Sequence, residues 1–167
     1  REIHKELKQY AVEVLLDDEK KNLTQIISWA NGHIKPGWVI IDIHFNNNIP
    51  SASGTEVFIH DKSSVWVRRT ASRMANNLSV DQGIPLRRYL HSRDYKYPQE
   101  SFIGQLGIVE RVLIDNAVAP VFLPEICFLN QRDLKNFNPS LVAKSIVKSL
   151  DLRVKLTCQD PKTEKRV

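Results

Sequence analysis

The chain has 167 residues, 42% of them hydrophobic and 26% charged, with a formal net charge of +5. That length suits one domain with a real core, and the composition excludes wholesale disorder. The longest apolar runs, WVII at 38–41 and APVFLP at 119–124, fall far short of the ~20 residues a membrane-spanning helix needs. Two cysteines, Cys127 and Cys158, are too few for a disulfide framework or a four-cysteine zinc site. Cys127 lies in an apolar run, where it is expected to pack as a small hydrophobe, and this points to a reducing, intracellular compartment, cytoplasmic or nuclear. The opening REIHKELKQY is too polar for a secretory signal. A chain that starts without Met is expected to be one monomeric module of a longer protein.

Taken in order, residues 1–10 read as a leader and YAVEVLL at 10–16 as a strand. Asn22 can cap a helix in which Leu23, Ile26, Ile27 and Ala30 share one face, with Gly32 ending it. In WVIIDIHF at 38–45, alternation puts Val39, Ile41, Ile43 and Phe45 on one side of a strand and Asp42 and His44 on the other. After the turn-rich NNNIPSASG at 46–54, residues 55–60 and 64–69 suggest a hairpin around HDKSS. In its second strand Trp66 and Arg68 would share a face, either to stack on a base and hold a phosphate or to pack in the core. Pro85 suits the first turn of a helix with Leu86, Tyr89 and Leu90 as its apolar stripe. Tyr97 precedes Pro98 and is pushed towards extended geometry, so Tyr95 and Tyr97 would point the same way and Lys96 the opposite way. FIGQLGIVERVLI at 102–114 and VFLPEICFL at 121–129 read as further strands. Asn138 and Pro139 open a last helix with Leu141, Val142, Ile146, Val147 and Leu150 as its stripe, and residues 151–167 form a strand or linker with a charged tail. Many short strands with three small helices predict an α+β, mainly β domain over 11–150, curled into a partly open barrel.

Between residues 62 and 97 stand eight Lys or Arg, Arg69 and Lys96 among them, against two Asp. That local excess exceeds the net charge of the whole chain. Three of the tyrosines fall within RRYLHSRDYKYPQ at 87–99. Rings interleaved with cations are the combination expected of a single-strand nucleic-acid binder, in which bases stack and phosphates are neutralised. Sequence motifs for catalysis are absent: there is no GxSxG, no GxxxxGK[ST] and no HExxH. Asp42 with His44, or His60 with Asp61, could serve a metal-dependent nuclease, but acidic residues thin out where the cations gather. The expectation is a non-catalytic binding module with no cofactor and no metal. A barrel-fold protein-interaction module and a divergent nuclease are the alternatives.

Three segments in order, IKPGWVIIDIHF at 34–45, RRYLHSRDYKYP at 87–98 and VFLPEICFLN at 121–130, resemble the PAZ domain of the Argonaute, Piwi and Dicer proteins. The resemblance rests on Tyr89-Leu90, Tyr95, Tyr97-Pro98 and Leu123-Pro124-Glu125-Ile126-Cys127. It implies an OB/Sm-like barrel with an inserted hairpin-helix appendage and a closing C-terminal helix. It also implies sequence-independent capture of the 3′ end of a single-stranded small RNA or duplex overhang in an RNA-silencing protein. On matching positions, Tyr95 and Tyr97 would supply phenols, His44 an imidazole to the last phosphodiester, and Leu123 a contact to the terminal sugar. Trp66, Arg68, Arg69 and Lys96 would line the approach.

Overall fold

A computed structural model describes residues 1–10, 12–16, 21–46, 51–91, 107–114 and 117–152. Their centre is strand β7 (Val121–Phe128), buried along nearly its whole length. Strands β1 (Ile40–Ile41) and β2 (His44–Asn46) run parallel to β7 on one side, β3 (Thr55–Ile59) runs antiparallel to it on the other, and β4 (Leu86–His91) lies parallel to β3 at the far edge. A short antiparallel pair, β5 (Leu113–Ile114) and β6 (Ala117–Val118), stands apart.

Helices cover both faces. On one, α3 (Val65–Gln82) and α6 (Pro139–Ser149) pack Met74, Leu78, Val142 and Ile146 on Val57, Ile59, Phe122 and Ile126. On the other, α2 (Leu23–His33) and α4 (Gly107–Arg111) bring Ile27, Ala30, Ile108 and Val109 onto Phe58, Val121 and Leu123. The expected barrel is thereby overturned, because this sheet is mixed, does not close, and is sandwiched between helical layers. α1 (Glu2–Leu7) lies against α6 with Leu7 buried, and α5 (Gln131–Leu134) follows β7 directly.

Several local misreadings produced the barrel. VWVRR at 65–69 alternates like a strand, yet it opens the 18-residue α3. The Ser64 side chain caps the N–H of Val67, and the buried Val67, Thr70, Ala71, Met74, Ala75 and Leu78 fall at the three- and four-residue spacing of a helix face. Gly83, at φ +62°, ends it in the left-handed conformation. The crossover β3–α3–β4 then returns the chain as a parallel strand, so Leu86–His91 is β4 and not a helix. Pro85 precedes its first residue, a place where a missing N–H costs no ladder bond. Residues 12–16 form no strand, and GIVER at 107–111 is helical. The helix after Asn22 does form, closed by a capping box between Asn22 and Gln25, and so does the one after Asn138.

Candidate active site

The polar residues of interest sit in strands that are otherwise apolar. β1 ends at Ile41 opposite Phe122, and β2 resumes at His44 opposite Glu125 in the same register. The interruption at Asp42 and Ile43 falls beside Leu123 and Pro124, and Pro124 has no N–H to donate. Alternation carries Asp42, His44 and Glu125 to the sheet face that also bears Leu123 and Phe58. There His44 Nε2 meets Asp42 Oδ2 at 3.0 Å. On the other flank of β7, Glu56 stands directly opposite Glu125.

Glu56 is itself buried. Its Oε1 accepts from Asn46 Nδ2 at 2.9 Å and its Oε2 from Arg87 Nε at 3.0 Å. The Arg87 guanidinium also lies over the Phe128 ring, 5.4 Å from its centroid. Glu125 has less help, for its Oε2 is buried without a hydrogen-bond partner among the described residues. Burial pushes the Glu125 carboxyl up to about 7; the charges of Glu56 and Asp42 act the same way, and His44 opposes them. The His44 imidazole is raised above its ordinary value by its hydrogen bond to Asp42, against its own burial, with the charges of Asp42 and Glu125 assisting. A carboxyl raised towards neutrality across from a raised imidazole is an arrangement suited to proton transfer.

The donors for a metal are fewer than a catalytic zinc requires, which is three protein ligands. His44 bonds Asp42 through Nε2, and among the described residues no group of three or more His, Cys, Asp or Glu is placed to hold a metal ion. The described donors alone do not complete such a set.

Of the described residues predicted to bind RNA, only His44 lies in this row. Leu123 is core, packed in the α2/α4 layer. Trp66 belongs to the first turn of α3 on the opposite face, its ring edge-on to Phe122 at 6.0 Å. Arg68 braces its own helix entry, donating to the carbonyls of Ser63 and Asp61, and Arg69 is exposed on the same helix. Tyr95, Lys96 and Tyr97 lie outside the described residues. Part of the cationic cluster serves the fold, Arg73 donating to the Ser149 carbonyl and Arg87 to Glu56. Sequence reasoning missed Glu125, Glu56, Asn46 and Arg87 as site residues. The available signal was a lone carboxylate inside each of two apolar strands, VFLPEICF and TEVFI.

An open, helix-flanked mixed sheet with a carboxyl and an imidazole facing each other on neighbouring strands defines an α/β scaffold with a polar site on one sheet face. The chain belongs to the N-acetylmuramoyl-L-alanine amidase family, whose model matches residues 1–155. Among solved structures it is similar to the N-acetylmuramoyl-L-alanine amidase of Clostridium difficile 630, at 19% identity and a TM-score of 0.67 over 89% of this chain and 76% of that one. The catalytic domain of CwlV from Bacillus (Paenibacillus) polymyxa matches at 20% identity and a TM-score of 0.64, again over 89% and 76% of the two chains. An amidase of Nostoc punctiforme matches at 16% identity and a TM-score of 0.63 with the same coverage. No curated protein matches.

These findings replace the PAZ resemblance, and with it the RNA-end partner and the silencing role. The family is one of enzymes, so the expectation of a non-catalytic module is corrected too, and the nuclease alternative has no support. The short matches misled because strand, Tyr-Pro and Leu-Pro-Glu segments recur wherever extended chain alternates with turns. None of them tests how the strands pair.

Proposed function

We propose that this chain hydrolyses the amide that joins the lactyl carboxyl of N-acetylmuramic acid to L-alanine in peptidoglycan, with Glu125 as its acid–base. The observation that carries the reading is the buried Oε2 of Glu125, without a hydrogen-bond partner among the described residues, on a carboxyl that burial pushes up to about 7 across from His44. In its ionised form Glu125 takes a proton from water as the oxygen bonds to the carbonyl carbon. It then returns that proton to the nitrogen of alanine as the C–N bond breaks, leaving a free muramic carboxylate and a free alanine amine. The His44 imidazolium, held by Asp42, would face the negative charge growing on the carbonyl oxygen.

Family membership supports the substrate class, and the site supports the proton transfers. The test is to incubate the protein with peptidoglycan and with a muramoyl dipeptide and to label newly exposed alanine amines. Release of those amines, reduced ~100-fold or more in Glu125→Gln, is expected. Intact substrate, or equal release by the variant, would overturn the assignment.

A further inference from the structure

Two carboxylates directly opposite one another on neighbouring strands repel, and sheets avoid the arrangement. Here Glu56 and Glu125 are such a pair. The repulsion would be relieved if Glu56 turned to solvent, but it does not. It is buried at 3% exposure and held from both ends, by Asn46 reaching from β2 across β7 and by Arg87 from β4. Four strands thus contribute to one polar row running Arg87, Glu56, Glu125, His44 and Asp42. A local rule broken at the cost of several compensating contacts is the mark of a functional constraint.

We propose that Glu56 is a positioning residue for the amide hydrolysis: bracketed by Asn46 and Arg87, it presents a fixed negative charge to the Glu125 carboxyl from the neighbouring strand. The inference rests on Glu125 being the acid–base of the proposed reaction. Glu56 presents its charge to Glu125 across the strand pair, whereas Arg87 bonds Oε2 of Glu56 and tempers that charge. The charged groups that bear on Glu125 from the packed elements are Asp42 and His44 from the β1–β2 segment, Glu56 from β3, and Arg87 from β4 through Glu56.

The two neighbours therefore predict shifts of opposite sign. In Glu56→Gln the titration of Glu125, followed by the carbon-13 shift of its labelled carboxyl without substrate, moves down from about 7 by roughly one pH unit, the scale of one nearby like charge in a partly solvated site. In Arg87→Gln it moves up, because the charge of Glu56 is no longer tempered. The pH–rate profile on muramoyl dipeptide shifts with it, kcat changes while KM stays, and Glu56→Asp, which restores the charge, brings the midpoint back most of the way. A merely structural Glu56 would lower melting temperature and leave these midpoints alone. Unshifted midpoints in folded Glu56→Gln overturn the proposal. If that variant does not fold, Arg87→Gln decides, and an unchanged or lowered midpoint there overturns it. Absence of any hydrolysis by the unsubstituted protein would refute the proposed reaction instead, since the carboxyl titration needs no substrate.

Discussion

Glu125 should cost the fold stability at the pH where it works. Its carboxyl is displaced from 4.5 to about 7, chiefly by burial. Between those values the native chain keeps a proton that the unfolded chain has released, so the unfolded state binds fewer protons and stability falls as pH rises through this window. A shift of about 2.5 units, at about 1.4 kcal/mol per unit, corresponds to roughly 3 kcal/mol, and the part of the side chain that meets solvent reduces this to about 2 kcal/mol. Gln at this position keeps the shape and cannot ionise. Glu125→Gln should therefore match the parent near pH 4 and exceed it by about 2 kcal/mol at pH 8, a gain in Tm of roughly 5 °C for a chain of this length. His44 contributes in the same sense. Its raised value stabilises the fold at low pH and is lost as pH rises through it, and removing the Glu125 charge weakens that dependence. Urea unfolding at pH 4, 6 and 8 gives the measurement. Parallel stability curves for the two proteins would show that Glu125 ionises freely and would remove the basis for its acid–base role. An inactive variant that gains stability only at high pH is the expected result.

Three further substitutions address the frame around the site. Asp42→Asn should lower the titration of His44 towards its ordinary value, because the largest cause of its elevation is the Asp42 hydrogen bond, and nitrogen-15 NMR of the imidazole reads this directly. Asp133→Asn should cost about 2–3 kcal/mol in urea unfolding, since the buried carboxylate accepts from Ser53 Oγ and from the N–H groups of Gly54 and Phe128, and an amide cannot accept at both positions. In the parent, burial alone would push Asp133 up, yet these donors and Arg132 hold it below the ordinary range, so its contribution is present above that range and lost as pH falls through the lowered value. Gly54→Ala should be worse tolerated than either, by about 2 kcal/mol or more, because the backbone sits at φ +118° and a Cβ would lie 2.4 Å from the Pro85 carbonyl oxygen. Circular dichroism melts suffice to rank the three.

The parts of the fold that could be read from the chain were those fixed by local chemistry. Asn22 with Gln25, and Asn138 before Pro139, announce helix starts by side chains that cap their own backbone. The apolar run at 121–129 announces a buried strand. What escaped was set by distant partners. VWVRR carries a strand-like alternation over five residues, and only the longer stripe through Met74 and Leu78 reveals a helix lying on Val57 and Phe122. RRYLH became a strand because β3 was there to receive it, with Val57 opposite Tyr89 and Phe58 opposite Leu90. Asp42 and His44 were legible as sharing a face, but their partner Glu125 lies some eighty positions along the chain and meets them only through the parallel pairing of β2 with β7.

The distribution of charge explains why a polyanion-binding surface was the wrong inference from the right observation. Cations did concentrate between residues 62 and 97, but three of the arginines there fasten parts of the fold together: Arg68 ties the entry of α3, Arg73 ties α3 to the end of α6, and Arg87 ties β4 to Glu56. A guanidinium offers five donors in a rigid fork, which makes it as useful to buried carbonyls and carboxylates as to phosphates, and sequence alone does not distinguish these uses. Carboxylates in buried strands are less ambiguous. Each one must be paired, protonated or both, and a strand has no cheap reason to carry it. Glu56 is paired, Glu125 is driven towards protonation, and the two face each other across one strand pair. Replacing both by Gln should accordingly release no alanine amine, and the change at Glu56 should cost less stability at pH 8 in the parent, where it also relieves the repulsion, than in Glu125→Gln, where no repulsion is left. An equal cost of Glu56→Gln in the two backgrounds would mean that the facing carboxylates do not interact, and the polar row would then be two independent features of the sheet.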